Sequence, residues 1–381
     1  MKIAIVGGGP AGLYFARLMK RSRPDVDVDL FERGPEGATW GFGVGLGGRT
    51  MKEIEDTDPD VYEKMTASMR FTQEQKIHLN GEEFRIEYGS AAGAISRLRL
   101  LQILAAGCRD VGVNLHFETP VDSADDLDGY DLIVASDGAN SRLRQEREVE
   151  FGTERRILGN RFAWYGVARP MEPMALIFRT FEEGTFIGHY YAYSDAMSTF
   201  VTECDERTWY KFGLDRMTDD ERKAEMERVF APELMGERLI ANHSIWRQFP
   251  AVTNEHFYSG NIVLLGDSQR VAHFSIGSGT RLAMEDAAAL HQAFQECEQD
   301  VAAALARFEH IRRPGRQKFG EAARLSFEWY EEVARHMQQP LVPFIHDFLT
   351  RTGRINEERL RAYAPGFYDA YQSFRDSARP Q

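Results

Sequence analysis

The reading of the fold turns on residues 1–33, MKIAIVGGGPAGLYFARLMKRSRPDVDVDLFER. "KIAIV" is an apolar run of strand length, "GLYFARLMKRS" repeats its apolar residues at helical spacing, and "VDVDLFER" alternates as a half-buried strand does. Strand, helix and strand in that order make a βαβ unit. Gly7-x-Gly9-x-x-Gly12 lies where the first strand meets the helix, and Glu32 stands at the end of the second strand. This is the spacing of a dinucleotide-binding loop: glycines permit the tight turn and the close approach of backbone to a pyrophosphate, and a carboxylate can accept hydrogen bonds from a ribose diol. Three consecutive glycines and a proline interrupt the apolar run, so the stretch is expected to be this unit rather than a secretory leader.

Two later stretches repeat the strand-then-turn texture. "YDLIVASDG" (130–138) ends on Asp137-Gly138, with Ser141 and Arg144 just beyond, and "GNIVLLGD" (260–267) ends on Gly266-Asp267. After the latter, "FSIGSGTRLAMEDA" (274–287) crosses a glycine-bearing turn into an Ala-rich helix, whose free N–H groups suit an anion. Between these parts "ALIFRTF", "TFIGHYYAY" and "MSTFVTEC" are β-rich runs joined by "EEG" and "SDA", short enough for hairpin turns. The fold class expected is α/β: a Rossmann-like dinucleotide-binding domain with an inserted antiparallel β-sheet substrate domain and C-terminal helices. "GFGVGLGG" (41–48) precedes no clear second dinucleotide-binding helix, and "RRPGRQ" (312–317) marks a break in the helical region.

Composition narrows the function. With 381 residues, 43% hydrophobic and 28% charged, the chain has room for two domains and a large core. Its 46 basic and 59 acidic residues give a net charge of -13, which argues against a broad nucleic-acid surface and for small-molecule partners. Cys108, Cys204 and Cys297 are odd in number and far apart, suggesting neither disulfides nor a zinc site, and a cytoplasmic location is expected. The ten histidines show no ligand spacing, so no metal is expected. No apolar run is long enough for a membrane span.

Taken together and in this order, the three motifs resemble the fingerprint of the class A flavoprotein aromatic hydroxylases related to p-hydroxybenzoate hydroxylase. The resemblance implies FAD as cofactor, NAD(P)H docking without its own Rossmann domain, and delivery of one atom of molecular oxygen to an electron-rich aromatic ring. It implies that Gly7, Gly9, Ala11, Gly12, Glu32 and Arg33 serve the ADP half of FAD. Arg97 would lie along the cofactor, Asp137 and Gly138 would form a turn shared with the nicotinamide path, and Asp267 would meet the ribityl and pyrophosphate region. Gly277, Gly279 and Thr280 would open the helix aimed at the flavin pyrimidine. The implied division is FAD-binding at 1–75, 96–158 and 256–325, substrate-binding at 76–95 and 159–255, and a helical region at 326–381.

At the Gly-Asp turn the chain departs from the general pattern, with Arg270 in a histidine position and His273-Phe274 in the proline positions. "HFSIGSGTRLAMEDA" is similar instead to a subgroup of salicyloyl-CoA and anthraniloyl-CoA hydroxylases and the violacein-pathway monooxygenase. The inserted sheet is most similar to the violacein member. "DFLTRTGRINEERLRAYAPGF", with Arg351, Arg354, Arg359 and Arg361, is similar to the CoA-ester members, and such a cluster can meet phosphates or simply be solvated. The expected substrate is thus an ortho-hydroxy or ortho-amino aryl thioester of CoA or a carrier protein, hydroxylated without ring reduction. A tryptophan-derived indole is the alternative, and a flavin-dependent reductase or a non-catalytic flavin-binding protein is the alternative from another class.

For catalysis, alternation along 185–193 places Ile187, His189, Tyr191 and Tyr193 on one face of a strand. An imidazole beside phenols can bind or deprotonate a phenolic or anilinic ring, although the same pattern suits a half-buried strand at a domain boundary. The resemblance places His273 beside the isoalloxazine. Glu285 and Asp286, adjacent on a helix, point in different directions and are read as structural or solvated.

Overall fold

The apolar residues of β1 (Lys2–Val6) are enclosed on both faces, as a central parallel strand requires: Ile3, Ala4 and Ile5 are fully buried. The computed structural model describes residues 1–271, 273–277, 279–298 and 300–377. The other strands are β2 (Asp27–Phe31), β3 (Gly43–Gly47), β4 (Arg70–Leu79), β5 (Glu82–Ser96), β6 (Asn114–His116), β7 (Leu132–Ala135) and β8 (Thr153–Val167). They are followed by β9 (Met174–Phe181), β10 (Gly184–Ala192), β11 (Ser198–Cys204), β12 (Leu239–Ala241), β13 (Arg247–Asn254), β14 (Tyr258–Ser259) and β15 (Ile262–Leu264). One sheet has the order β14-β15-β7-β1-β2-β6, parallel except for the β14–β15 pair. Helices Pro10–Ser22, Arg97–Asp110 and Gly279–Glu296 join its core through Leu13, Phe15, Leu100, Leu104, Met284 and Leu290.

The second sheet has the order β12-β8-β11-β10-β9-β4-β5-β3, with β13 also pairing β8. It is antiparallel except where β4 meets β9, so it is mixed rather than wholly antiparallel. The β9–β10 hairpin turns through Glu182 and Glu183 at φ 45° and 61°, the left-handed pair a two-residue hairpin turn needs. Phe186 and Tyr190 pack with Phe200 and Phe230 on one face of this sheet. On the other, Ile187 packs with Tyr330, Phe344 and Phe348 from the C-terminal helices.

"GFGVGLGG" leads into a helix, Arg49–Thr57, but its strand is β3, paired antiparallel with β5 in the mixed sheet, so no second dinucleotide-binding unit results, as expected. One local expectation is corrected: "RRPGRQ" is not a break, for Pro314 lies inside a continuous helix that runs from Val301 to Glu331. Arg312 and Arg316, on either side of Pro314, both pair with the buried Asp286, and this anchorage holds the turn in which proline removes a backbone bond. Cys108, Cys204 and Cys297 are free. No helix among the described residues is long and apolar enough to cross a membrane.

Candidate active site

The glycine loop explains itself only in part. A Cβ on Gly7 would lie 2.4 Å from the Ser136 carbonyl oxygen, and Gly7 has φ +106°; a Cβ on Gly12 would lie 2.3 Å from the Gly7 carbonyl oxygen. Both are therefore glycine because the protein closes on itself there. A Cβ on Gly9, at the helix N-cap, would meet nothing within 4 Å. The space before this helix end is open, and an anionic group fits there. Glu32 faces the same loop: its carboxylate accepts from the N–H groups of Gly8 and Gly34, at 2.7 and 2.8 Å. Ala11 is buried where this helix passes Gly266, and Arg33 is exposed.

The other two motifs are tied to each other. Buried Arg144 donates to the carbonyls of Ala139 and Ser268, at 2.6 and 3.0 Å, and so joins the turn after Asp137-Gly138 to the turn carrying Asp267. Asp137 accepts from the Arg142 N–H through Oδ2, while its buried Oδ1 has no partner among the described residues; burial pushes its pKa up. Asp267 is exposed by area, yet desolvation raises its pKa against the pull of Arg97 and Arg316. A carboxylate open by area but surrounded by protein lines a deep cleft. Arg97 faces that cleft, its pKa lowered by burial and raised in part by Asp267, with Nε donating to Thr39 at 3.0 Å. Gly277 takes φ +55°, and Gly279 and Thr280 begin the following helix. An orphaned carboxylate oxygen, open space at a helix N-terminus and an acidic residue at the β2 end fit an FAD molecule.

Glu285 and Asp286 are structural but not solvated. Asp286 is 1% exposed, pairs with Arg312 and Arg316, and accepts from the Gly266 N–H at 3.3 Å, fixing the turn that presents Asp267. Sequence reasoning missed this brace, whose signal was a carboxylate one position along the same helix from another.

Beside the turn Phe274–Gly277 lies a cavity of 880 Å3. Its wall combines Leu176, Ile187, His189, Val201 and Glu203 of the mixed sheet with Tyr330, Phe348, Arg351, Arg354 and Arg359 of the C-terminal region. His189 is half-buried, and desolvation lowers its pKa to about 4, so the imidazole is neutral. Its ring lies 5.3 Å from that of Tyr191. Tyr191 is outside the cavity wall and donates its hydroxyl to the Gly43 carbonyl at 2.8 Å. His273 is also outside the wall: it stacks on Phe274 at 4.4 Å, accepts from the Ser275 N–H through Nδ1, and has its pKa pushed down to about 3 by burial and Arg351. Glu203 was not expected here. It is 2% exposed and its pKa is raised to about 8 by burial; a single charged residue in a strand otherwise without charge, STFVTEC, was the available signal.

Of the four C-terminal arginines, Arg361 is outside the wall. Arg351 is committed within the protein, donating to Ser326 Oγ and to the carbonyls of Phe348 and Ser275. Arg359 donates to the Arg354 carbonyl.

Known proteins resemble this chain over most of its length. The chain is 36% identical, over 92% of its length, to salicyloyl-CoA 5-hydroxylase of a Streptomyces species, of which it covers 70%. It is 33% identical to protodeoxyviolaceinate monooxygenase of Chromobacterium violaceum, covering 92% of this chain and 94% of that one. It is 34% identical to 3-hydroxy-4-methyl-anthranilyl-(aryl-carrier protein) 5-monooxygenase of Streptosporangium sibiricum, covering 96% and 98%. The solved structure of 2-methyl-3-hydroxypyridine-5-carboxylic acid oxygenase shares the fold, with TM-score 0.71 over 95% of both chains at 17% identity. The FAD binding domain family matches residues 1–323, and the chain belongs to it: it is a flavoprotein aromatic monooxygenase with FAD as cofactor and NAD(P)H as co-substrate.

Proposed function

We propose that the enzyme hydroxylates an aromatic ring bearing an ortho hydroxyl or amino group and presented as a CoA or carrier-protein thioester. The observation that carries this reading is the continuity of one cavity from Ile187 and His189 to Arg354 and Arg359. A ring needs the first end; the second suits the phosphates of a long acyl carrier. In this reading FAD is held by Gly7, Gly9, Gly12, Glu32, Arg97, Asp137 and Asp267, and it supplies the oxygen-transfer chemistry once reduced by NAD(P)H.

This chain's residues do the remainder. Val201, Phe274, Phe348 and Leu349 line the cavity and keep water from it, favouring hydroxylation over release of hydrogen peroxide. Neutral His189 accepts a hydrogen bond from the ortho donor of the ring, raising ring electron density. With a pKa of about 4 it is too weak a base to retain the proton at neutral pH.

Steady-state assays test the reading. Salicyloyl-CoA or anthraniloyl-CoA is expected to stimulate NAD(P)H oxidation and gain one oxygen atom, para to the donor group. The relation to protodeoxyviolaceinate monooxygenase, which spans 94% of that protein, favours a second reading, a tryptophan-derived indole. Turnover of such indoles, with thioesters that neither bind nor stimulate oxidation, would replace the first reading by the second.

A further inference from the structure

Glu203 is a carboxyl group in the wall of a largely apolar cavity, and its hydrogen bonds distinguish its two oxygens. On β11 it shares a face with Val201 and stands opposite Ile187 of β10, in register, next to the side chain of His189 along that strand face. Oε1 accepts from Asn160 Nδ2 at 2.7 Å. Oε2 is buried and has no hydrogen-bond partner among the described residues. Asn160 is itself fixed, its Nδ2 also donating to the Tyr330 carbonyl at 3.1 Å and its backbone N–H to Glu331 at 2.8 Å.

The titratable groups around Glu203 offer its charge no cation. From β10 it faces neutral His189, and from the long helix Tyr330 and Glu331; Arg351, across the cavity, is occupied by Ser326, Phe348 and Ser275. Burial and the neighbouring Glu331 both favour the protonated form. Because the amide hydrogen of Asn160 occupies Oε1, the proton belongs on Oε2.

We propose that Glu203 is a specificity-determining residue, a carboxylic acid whose Oε2–H donates to the carbonyl oxygen of the acyl group on the aromatic substrate. The inference rests on the aryl-acyl substrate proposed above. It makes the cavity select rings that carry an acceptor beside the donor read by His189. A carboxylate at this position would repel the same oxygen.

The test uses FAD-reconstituted wild type, Glu203→Gln and Glu203→Leu, with binding read from perturbation of the flavin absorbance. Two ligand pairs differ in the carbonyl: salicyloyl-CoA against its 2-hydroxybenzyl thioether, and salicylamide against o-cresol. Wild type is expected to prefer the carbonyl member about tenfold more than Glu203→Leu does, the worth of one hydrogen bond. That preference should fall as pH rises through about 8, whereas Glu203→Gln, which donates an amide hydrogen, should keep it at all pH values. The same preference in Glu203→Leu as in wild type, or one indifferent to pH across that range, overturns the proposal. Should Glu203→Leu fail to fold, an infrared carboxylic-acid band present in wild type at neutral pH and missing from Glu203→Gln supports it, and no such band overturns it. If the small pair discriminates while neither CoA ligand binds, the thioester reading fails and the role of Glu203 stands.

Discussion

Gly8 donates its backbone N–H to Glu32 Oε2 across 2.7 Å, locking the acidic end of β2 against the glycine loop. Glu32→Ala frees this N–H and that of Gly34, and removes the acceptor for a ribose diol. The FAD dissociation constant is expected to rise by about tenfold or more. Titration of the apoprotein by flavin fluorescence measures it, and an unchanged affinity would contradict the assignment.

Gly9 and Gly12 should respond differently to the same substitution. Gly12→Ala drives a Cβ into the Gly7 carbonyl and Ser136, so it should destabilise the apoprotein by about 1–3 kcal/mol and weaken FAD binding. Gly9→Ala meets no protein atom within 4 Å; apoprotein stability should hold while FAD affinity falls. Urea unfolding of both apoproteins, beside FAD titrations, separates the cases. Equal loss of stability would show that the loop at Gly9 is closed.

His189→Ala is expected to keep FAD but to lower the yield of hydroxylated product per NAD(P)H consumed, the remainder appearing as hydrogen peroxide. Tyr191→Phe should act mainly on stability, by about 1 kcal/mol, because it loses the bond to Gly43. Wild-type coupling in His189→Ala would leave His189 a structural residue of the sheet.

Arg354→Ala with Arg359→Ala should raise KM for salicyloyl-CoA and flatten its salt dependence, since both side chains line the open end of the cavity. Binding of salicylamide should be unaffected. A parallel loss for both ligands would mean that the arginines shape the ring site instead.

Acid should destabilise the fold through its buried imidazoles. The folded pKa of His273 is pushed from 6.5 to about 3, so the unfolded chain binds the proton first and stability is lost as pH falls below about 6.5. His273→Phe should decline less steeply on the acid side, while losing about 1 kcal/mol at neutral pH with the Ser275 bond. Unfolding midpoints across a pH series give both numbers.

The parallel sheet was legible because buried strands, helical spacing and glycine turns are local signals: "KIAIV", "DLIVA" and "NIVLL" contain β1, β7 and β15. Strict alternation likewise put Ile187 and His189 on the cavity face. Less legible was whatever depends on distant partners. Glycine-rich residues 43–47 become a sheet edge only by pairing with β5, and the helix runs on through Pro314 where Asp286, far away in sequence, grips it on both sides. Glu203 escaped notice for the same reason: its burial comes from Asn160, Tyr330 and the C-terminal helices together.

The helices after residue 340 close the cavity opposite the mixed sheet, far along the chain from the glycine loop. Inheritance can therefore act on the two halves of the enzyme at different rates. On the reading proposed above, exchanges at Phe348, Arg354 or Arg359 would alter which molecules are admitted while leaving the glycine loop and the Asp137 and Asp267 turns untouched. A lineage could diversify its chemistry by drift in this terminal segment alone, and variation among sister enzymes should concentrate there.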